Sequence, residues 1–318
     1  MVGAVSRRTV LATLAAGPVL TLPGCSTPFA DTRLRLATGS ERGVYYRLGS
    51  ALARTWQAEL GLTGTPIVLS TAGSVQNVAL LAAGAADVVF SQVDAAAERL
   101  VGLSPDAPDA PRALARIYDD VLHVVVPATS PITTVSGLRG ARVSVGATDS
   151  GVSVVAGRLL DAAGLGPAGI RGEQLGLDAS VEAMAAGVID AFFWSGGLPT
   201  GALVDYATSG DMVLIPHGEH AAAMQAAYGE YYTEADVPAD TYDGQSEAVS
   251  VVVVPNVLVA NPDNMSEDLQ ERITAAIYDN VEQLTQVHSA AADLDPSTAG
   301  EIEFMDVCPG SMTYFDTQ

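Results

Sequence analysis

Leu34-Arg35-Leu36-Ala37-Thr38-Gly39-Ser40 runs through Glu41-Arg42 into Gly43-Val44-Tyr45-Tyr46, and Ile67-Val68-Leu69-Ser70-Thr71-Ala72-Gly73 runs into Ser74-Val75-Gln76-Asn77. In each stretch a short apolar strand ends in a glycine-containing turn and a helix begins. After the first turn, Tyr45, Leu48, Leu52 and Trp56 repeat at helical spacing as far as Leu60. A strand passing directly into a helix, and doing so repeatedly, is the pattern of a parallel α/β sheet. It also suits a small anion. The first N–H groups of a helix lack intrahelical partners and the helix dipole adds partial positive charge there, so a carboxylate or phosphate is favoured. Thr38, Gly39 and Tyr45 from the first stretch, and Ser74 and Asn77 from the second, are the candidate contacts, with neutral side chains adding directed hydrogen bonds. Each stretch taken alone also serves as an ordinary capped connection.

Working outward, strands are predicted at 33–37, 67–70 and 88–91 with helices between them, and Gln92 stands just past the third strand. A proline-rich loop over 104–111 precedes an apolar strand at 121–126, which Pro127 closes and where the chain is expected to change domain. A second series follows: strand 142–145, helix 151–163, strand 173–175, helix 179–186, and strands 189–194 and 212–215. Its turns Gly146-Ala147-Thr148-Asp149-Ser150-Gly151 and Trp194-Ser195-Gly196-Gly197-Leu198-Pro199 repeat the strand-to-helix plan. Ser150, Gly151, Ser195 and Gly197 therefore complete the candidate set, facing the first pair of turns across a cleft. The β-branched run 248–259, broken by Pro255-Asn256, suits a strand returning to the first domain. A helix over 265–288 with Ser266 as its cap follows. Two α/β domains joined by extended crossings describe a clamshell that closes on ligand. The expected division is a first domain of 33–125 plus 251–318 and a second of 126–250.

The ends and the composition set further bounds. Arg7-Arg8 before an apolar run, then Leu22-Pro23-Gly24-Cys25, resemble a twin-arginine export signal ending in a bacterial lipobox, so 1–25 reads as a signal, Cys25 as the lipidated residue and 26–32 as a tether. A spanning helix needs roughly 20 apolar residues, more than this run offers. The expected location is outside the cell membrane, anchored by lipid. With Cys25 lipidated, Cys308 has no partner within the chain. The nearly 300 residues beyond Cys25 suffice for two domains. All fifteen basic residues are arginine against 37 acidic ones, a net charge of −22, which disfavours a nucleic-acid partner. Without lysine the chain has no P-loop lysine or Schiff base. His217-Gly218-Glu219-His220 lacks the i, i+4 spacing of a zinc helix, and Gly164-Leu165-Gly166-Pro167-Ala168-Gly169 follows a helix where a dinucleotide turn follows a strand. No cofactor, metal or catalytic residue is expected.

Several motifs resemble those of the TAXI solute-binding proteins of tripartite ATP-independent periplasmic (TRAP) transporters over most of the mature chain. They are Thr38-Gly39 with Gly43-Val44-Tyr45-Tyr46; Thr71-Ala72-Gly73-Ser74-Val75-Gln76-Asn77; Gly84, Ala86-Asp87 and Gln92; Ser195-Gly196-Gly197-Leu198-Pro199; and Val254-Pro255-Asn256-Val257-Leu258. Near the C-terminus the family's His-Pro-Gly-Ala is replaced by Cys308-Pro309-Gly310-Ser311, with Tyr314 following. The resemblance implies a type II periplasmic-binding fold and a monomeric extracytoplasmic receptor. Such a receptor takes glutamate, glutamine or a dicarboxylate such as 2-oxoglutarate and hands it to TRAP membrane subunits. A receptor for a membrane signalling partner and a binding-protein-fold enzyme are the alternatives.

Overall fold

The computed structural model describes Met1 and residues 28–101, 110–209, 212–302 and 304–318. The export signal, Cys25 and most of the 104–111 loop lie outside the described residues. Strands and helices alternate from the start: β1 (Arg35–Ala37), α1 (Val44–Leu60), β2 (Ile67–Leu69), α2 (Ser74–Ala82), β3 (Val88–Gln92) and α3 (Val93–Leu100). The long β4 (Arg112–Pro127) leads to β5 (Arg142–Ser144), α4 (Gly151–Ala162), β6 (Arg171–Glu173), α5 (Leu177–Ala185), β7 (Ala191–Gly196), α6 (Gly201–Ala207) and β8 (Met212–Leu214). Then come α7 (Ala221–Tyr228), β9 (Thr233–Val237), the long β10 (Val249–Ala260), α8 (Glu267–Tyr278), α9 (Val281–Val287) and α10 (Pro309–Phe315).

The strands form one sheet in the order β2-β1-β3-β10-β4-β7-β5-β6, with β8 on β4 and β9 on β10. Its two flanks are parallel, β1 with β2 and β3, and β5 with β6 and β7. Between them β4 and β10 run antiparallel to each other and to their neighbours. Each long strand changes partner along its length. β10 pairs with β9 through Val249–Val253 and with β3 through Asn256–Ala260. From Val121 onward β4 pairs with β7 and then β8. The expected divisions at 125/126 and 250/251 thus fall inside continuous strands. Pro255-Asn256, read from sequence as an interruption, is a register shift in an unbroken strand, because proline cannot donate to the ladder.

The core follows the same plan. Trp56, Phe90, Leu114, Leu258 and Ile273 pack beneath α1 and α8. Phe192, Leu203 and Val251 pack on the other lobe. A third cluster, from Val89 and Val124 to Val155, Phe193 and Val252, runs across both. Two sequence expectations change. The helix over 265–288 breaks at Asp279-Asn280, where Asn280 Nδ2 donates to the Ala276 carbonyl, and Asp and Asn favour such local bonds over continued helix. Ser266 caps α8 as expected, accepting from the Leu269 amide. Edge strand β9 was not predicted, because its acidic residues Glu234 and Asp236 dilute the apolar signal.

His123 and His217 are buried at 0% and 1% exposure, each with Nδ1 on a backbone carbonyl two residues earlier. Burial lowers both from 6.5 to about 4, so each adds stability that is present above pH 6.5 and lost as pH falls towards 4. Urea unfolding between about pH 7.5 and about pH 5 is expected to lose about 2 kcal/mol per histidine, and His123→Gln and His217→Gln to remove that share. An unchanged pH slope in both variants would sink this account.

Candidate functional site

The strand-to-helix turns of both lobes meet around one cavity of about 160 Å³. It is lined by Gly39, Ser40 and Gly43 ahead of α1, Thr71–Gly73 ahead of α2, Gly146, Ala147 and Ser150 ahead of α4, and Leu175 and Gly176 ahead of α5. Phe193, Trp194, Ser195 and Gly196 of β7 close the wall. Helices α1, α2 and α5 start behind Gly43, Gly73 and Gly176 without a side-chain cap. No side-chain oxygen therefore claims their first N–H groups, although in α2 the Gln76 amide is taken by the Asp149 carbonyl of the other lobe. Gly73 adopts φ +126°, ψ −152°, a backbone region that only glycine enters without strain. In α4, by contrast, Ser150 Oγ accepts from the Ser153 amide at 3.2 Å.

Of the residues expected from sequence, Gly39, Tyr45, Ser74, Gln92, Ser150, Gly151 and Ser195 line this cavity. Thr38, Asn77 and Gly197 do not, and the correction has a packing reason in each case. Thr38 is fully buried with Oγ1 donating to the Leu69 carbonyl at 2.7 Å. Asn77 Nδ2 donates to the carbonyls of Thr38 and Phe90 at 2.5 and 2.8 Å, and Oδ1 accepts from Thr71 Oγ1 at 2.6 Å. Asn77 thus ties α2 to the end of β1 and the middle of β3, and it does not line the cavity. A side chain on Gly197 would collide with Ala290 and the Tyr118 ring, so that glycine serves close packing. Cys308 is also remote: it is buried beside the start of β4, its backbone amide donates to Ala113, and burial pushes its thiol up to about 12.

Sequence reasoning missed the acid at the centre. Asp120 lies on β4 one residue before the predicted strand, at 3% exposure, and lines the cavity with Tyr118. Its Oδ2 accepts from Gln92 Nε2 at 2.9 Å and from Ser195 Oγ at 3.4 Å, and Gln92 Nε2 also donates to Ser195 Oγ at 2.6 Å. Ser74 Oγ accepts from the Gln92 amide at 3.0 Å, and Tyr45 OH donates to Asn256 Oδ1. Burial raises Asp120 to about 7 against the pull of Asn256, Gln92 and Ser195. The Asn256 side-chain amide is the largest of these opposing influences, acting as a donor towards the carboxylate. The available signal was Asp119-Asp120 interrupting an otherwise buried apolar stretch.

The lobes touch around the cavity. The Gln76 amide donates to the Asp149 carbonyl at 2.9 Å, and Arg42 spans the rim to Asp178 and Asp205 at 2.9 and 2.5 Å. Arg42 is itself outside the cavity wall; among the described residues that line the wall none is basic. Deeper, Arg158 of α4 reaches Asp94 at 3.3 Å and Glu98, both on α3.

The family model described as the NMT1-like family matches residues 36–318. Among solved structures, the chain is similar to a protein from Bordetella bronchiseptica RB50 at 17% identity, covering 90% of this chain and 83% of that one with TM-score 0.54. It is also similar to the alkanesulfonate-binding protein SsuA from Xanthomonas axonopodis pv. citri, bound to MOPS, at 13% identity, 90% and 84% coverage and TM-score 0.50. At such identities the likeness is one of fold, and that fold is the type II clamshell expected from sequence.

Two substitutions separate closure from scaffold. A Cβ on Gly151 would come within 2.7 Å of Ser74 Oγ and 2.8 Å of Gln92 Cδ, on the opposite lobe. Gly151→Ala is therefore expected to keep or raise stability, as alanine in a helix does, while overpacking of about 1–3 kcal/mol weakens solute binding roughly ten- to hundredfold. Equal affinity by calorimetry would mean the lobes need not meet there. Asn77→Ala is expected to cost about 1–3 kcal/mol of unfolding free energy through the orphaned carbonyls, and a fall in affinity at unchanged stability would return Asn77 to the ligand.

Proposed function

The chain belongs to the NMT1-like family, and from that premise we propose that it is a lipid-anchored extracytoplasmic receptor for a small carboxylic acid. In this reading it is tethered through Cys25 and delivers its solute to the membrane subunits of a TRAP transporter. The observation that carries the carboxylate is the convergence of α1, α2 and α5 on the cavity, each beginning at a glycine with no side-chain cap. Amides freed in this way, reinforced by the helix dipoles, hold an anion without a basic side chain. Ser74 adds a neutral hydroxyl beside them, while those of Tyr45, Ser150 and Ser195 donate within the wall to Asn256, Ala147 and Asp120. Size agrees with the same class: a cavity of ~150 Å³ takes a molecule like benzene, so 160 Å³ suits a free metabolite. The TRAP assignment rests on the sequence motifs, chiefly Thr38-Gly39 through Tyr46 and Thr71 through Asn77.

Mechanistically, solute first contacts one lobe, and closure brings up Ser150 and Gly151 from the other. A ligand touching both lobes binds the closed form more tightly than the open one, and that difference is what shifts the population. The closed form then presents a surface that the membrane subunits distinguish from the open one.

The test is thermal unfolding of the protein beginning after Cys25, refolded to remove carried-over solute, against amino acids, dicarboxylates, sugars and inorganic phosphate. A selective rise with one carboxylic acid is expected, about 2.7 kcal/mol at a hundredfold excess over Kd, with calorimetry showing binding and no turnover. A response to sugars or phosphate alone would overturn the carboxylate reading.

A further inference from the structure

We propose that the cavity is amphipathic and takes a compact monocarboxylic acid, its carboxylate on the lobe of α1 and α2 and an apolar body against the lobe of α4, α5 and β7. This rests on the receptor reading above and narrows its ligand class, since a second charged group has no partner in the wall.

The two lobes line the cavity with different chemistry. The first brings glycines and small polar residues, Gly39, Gly43, Gly73 and Ser74 among them, with the uncapped starts of α1 and α2. The start of α5 already carries Asp178 in its first turn, paired with Arg42, so the carboxylate goes to the other two. A buried hydroxyl points to the same head group. Tyr118 lines the cavity edge-on to Tyr45 of α1, is 2% exposed, and has no partner for its OH, which is therefore free to donate to a carboxylate. The second lobe brings Val152, Leu175, Leu177, Phe193 and Trp194.

The polar side chains of that second wall are already spent. Ser150 Oγ donates to the Ala147 carbonyl at 2.7 Å, Ser195 Oγ to Asp120 Oδ2 at 3.4 Å, and Trp194 Nε1 to Thr200 Oγ1 at 3.0 Å. A second carboxylate placed there would lose its water and gain no counter-charge, because no arginine or histidine is among the described lining residues and the one charged side chain in the wall, Asp120, is itself an acid. Asp120 in turn takes Gln92, Ser195 and the Asn256 amide, which leaves it little to offer an ammonium group. An apolar body meets neither cost and gains from leaving water. Trp194 completes the enclosure. Its indole runs from Thr200 towards the first lobe, where a Cβ on Gly43 would meet Cη2 at 3.9 Å. The volume of 160 Å³ sets the size of the solute, since an apolar cavity of ~150 Å³ holds the six carbons of benzene.

The experiment is calorimetry on the refolded protein with the straight-chain acids from acetate to hexanoate, and with glutarate and glutamate, which carry a second charged group on a chain as long as that of pentanoate. Affinity is expected to rise about fourfold for each methylene until the cavity is full at about five carbons, and pentanoate to bind at least about a hundredfold tighter than glutarate or glutamate. Tryptophan emission is expected to change over the same titration. Of the two tryptophans, Trp56 is fully buried with Nε1 on the Ile273 carbonyl, so the change reports Trp194. Trp194→Ala is expected to flatten the dependence on chain length, costing pentanoate about tenfold or more and acetate little. Glutarate or glutamate binding as tightly as pentanoate, an affinity that does not grow with chain length, or equal losses for acetate and pentanoate in Trp194→Ala overturns the apolar subsite and leaves the receptor standing. Failure of every carboxylic acid removes the receptor reading itself. Should Trp194→Ala not fold, the matched acids on the unaltered protein decide the matter.

Discussion

The pairing of β4 with β10 is the constraint on which the rest of the structure depends. The two strands hold each other in register from Arg112 opposite Ala260 to Val121 opposite Val253, and each is hydrogen-bonded to a different lobe at its two ends. Buried strands in the middle of a sheet cannot slip by one residue without turning their apolar faces outward, so the pair fixes where both lobes sit. It also fixes the chemistry. Asp120 stands opposite Val254 at the crossing, Asn256 stands opposite Gln92 on β3, and Ser195 stands opposite Leu122 on β7. The polar network around Asp120 is therefore assembled from four neighbouring strands by backbone register, not by loops.

That origin explains what the sequence could and could not reveal. The strand-to-helix turns were legible because each carries a local signature, a glycine turn between a short apolar strand and a helical repeat, and Gly39, Ser74, Ser150 and Gly151, read from it, line the cavity. Asp120 has a local signal, the Asp119-Asp120 pair in an apolar stretch, but nothing in it names a site. Its role comes from Gln92, 28 residues earlier, and Ser195, 75 residues later, meeting it through long-range strand pairing. Asn77 is the converse case. Its neighbours in sequence promise a ligand contact, yet the carbonyls of Thr38, just past β1, and of Phe90, within β3, claim its amide, because buried carbonyls must be satisfied by something. Thr38 was lost to the same requirement at the Leu69 carbonyl.

Closure of the clamshell draws on arginines of two kinds. Arg158 is nearly buried, lies over the Tyr228 ring at 5.0 Å, and donates to Tyr232 OH at 2.6 Å while reaching Asp94 on the other lobe. A desolvated pair of this sort is strongly held, since removing one partner strands the other charge at a cost of about 3–5 kcal/mol. It borders the apolar cluster that contains Val93, Ala96, Val155 and Val252, the part of the core shared by both lobes. Arg42 is different: at 48% side-chain exposure its bridges to Asp178 and Asp205 are screened by solvent and contribute at most about 1 kcal/mol. The lobes are thus joined firmly beside the crossing strands and weakly at the rim, the distribution a hinge requires. With so little holding the rim, the proposed receptor would draw the free energy that distinguishes closed from open largely from what fills the cavity between Ser74 and Gly151.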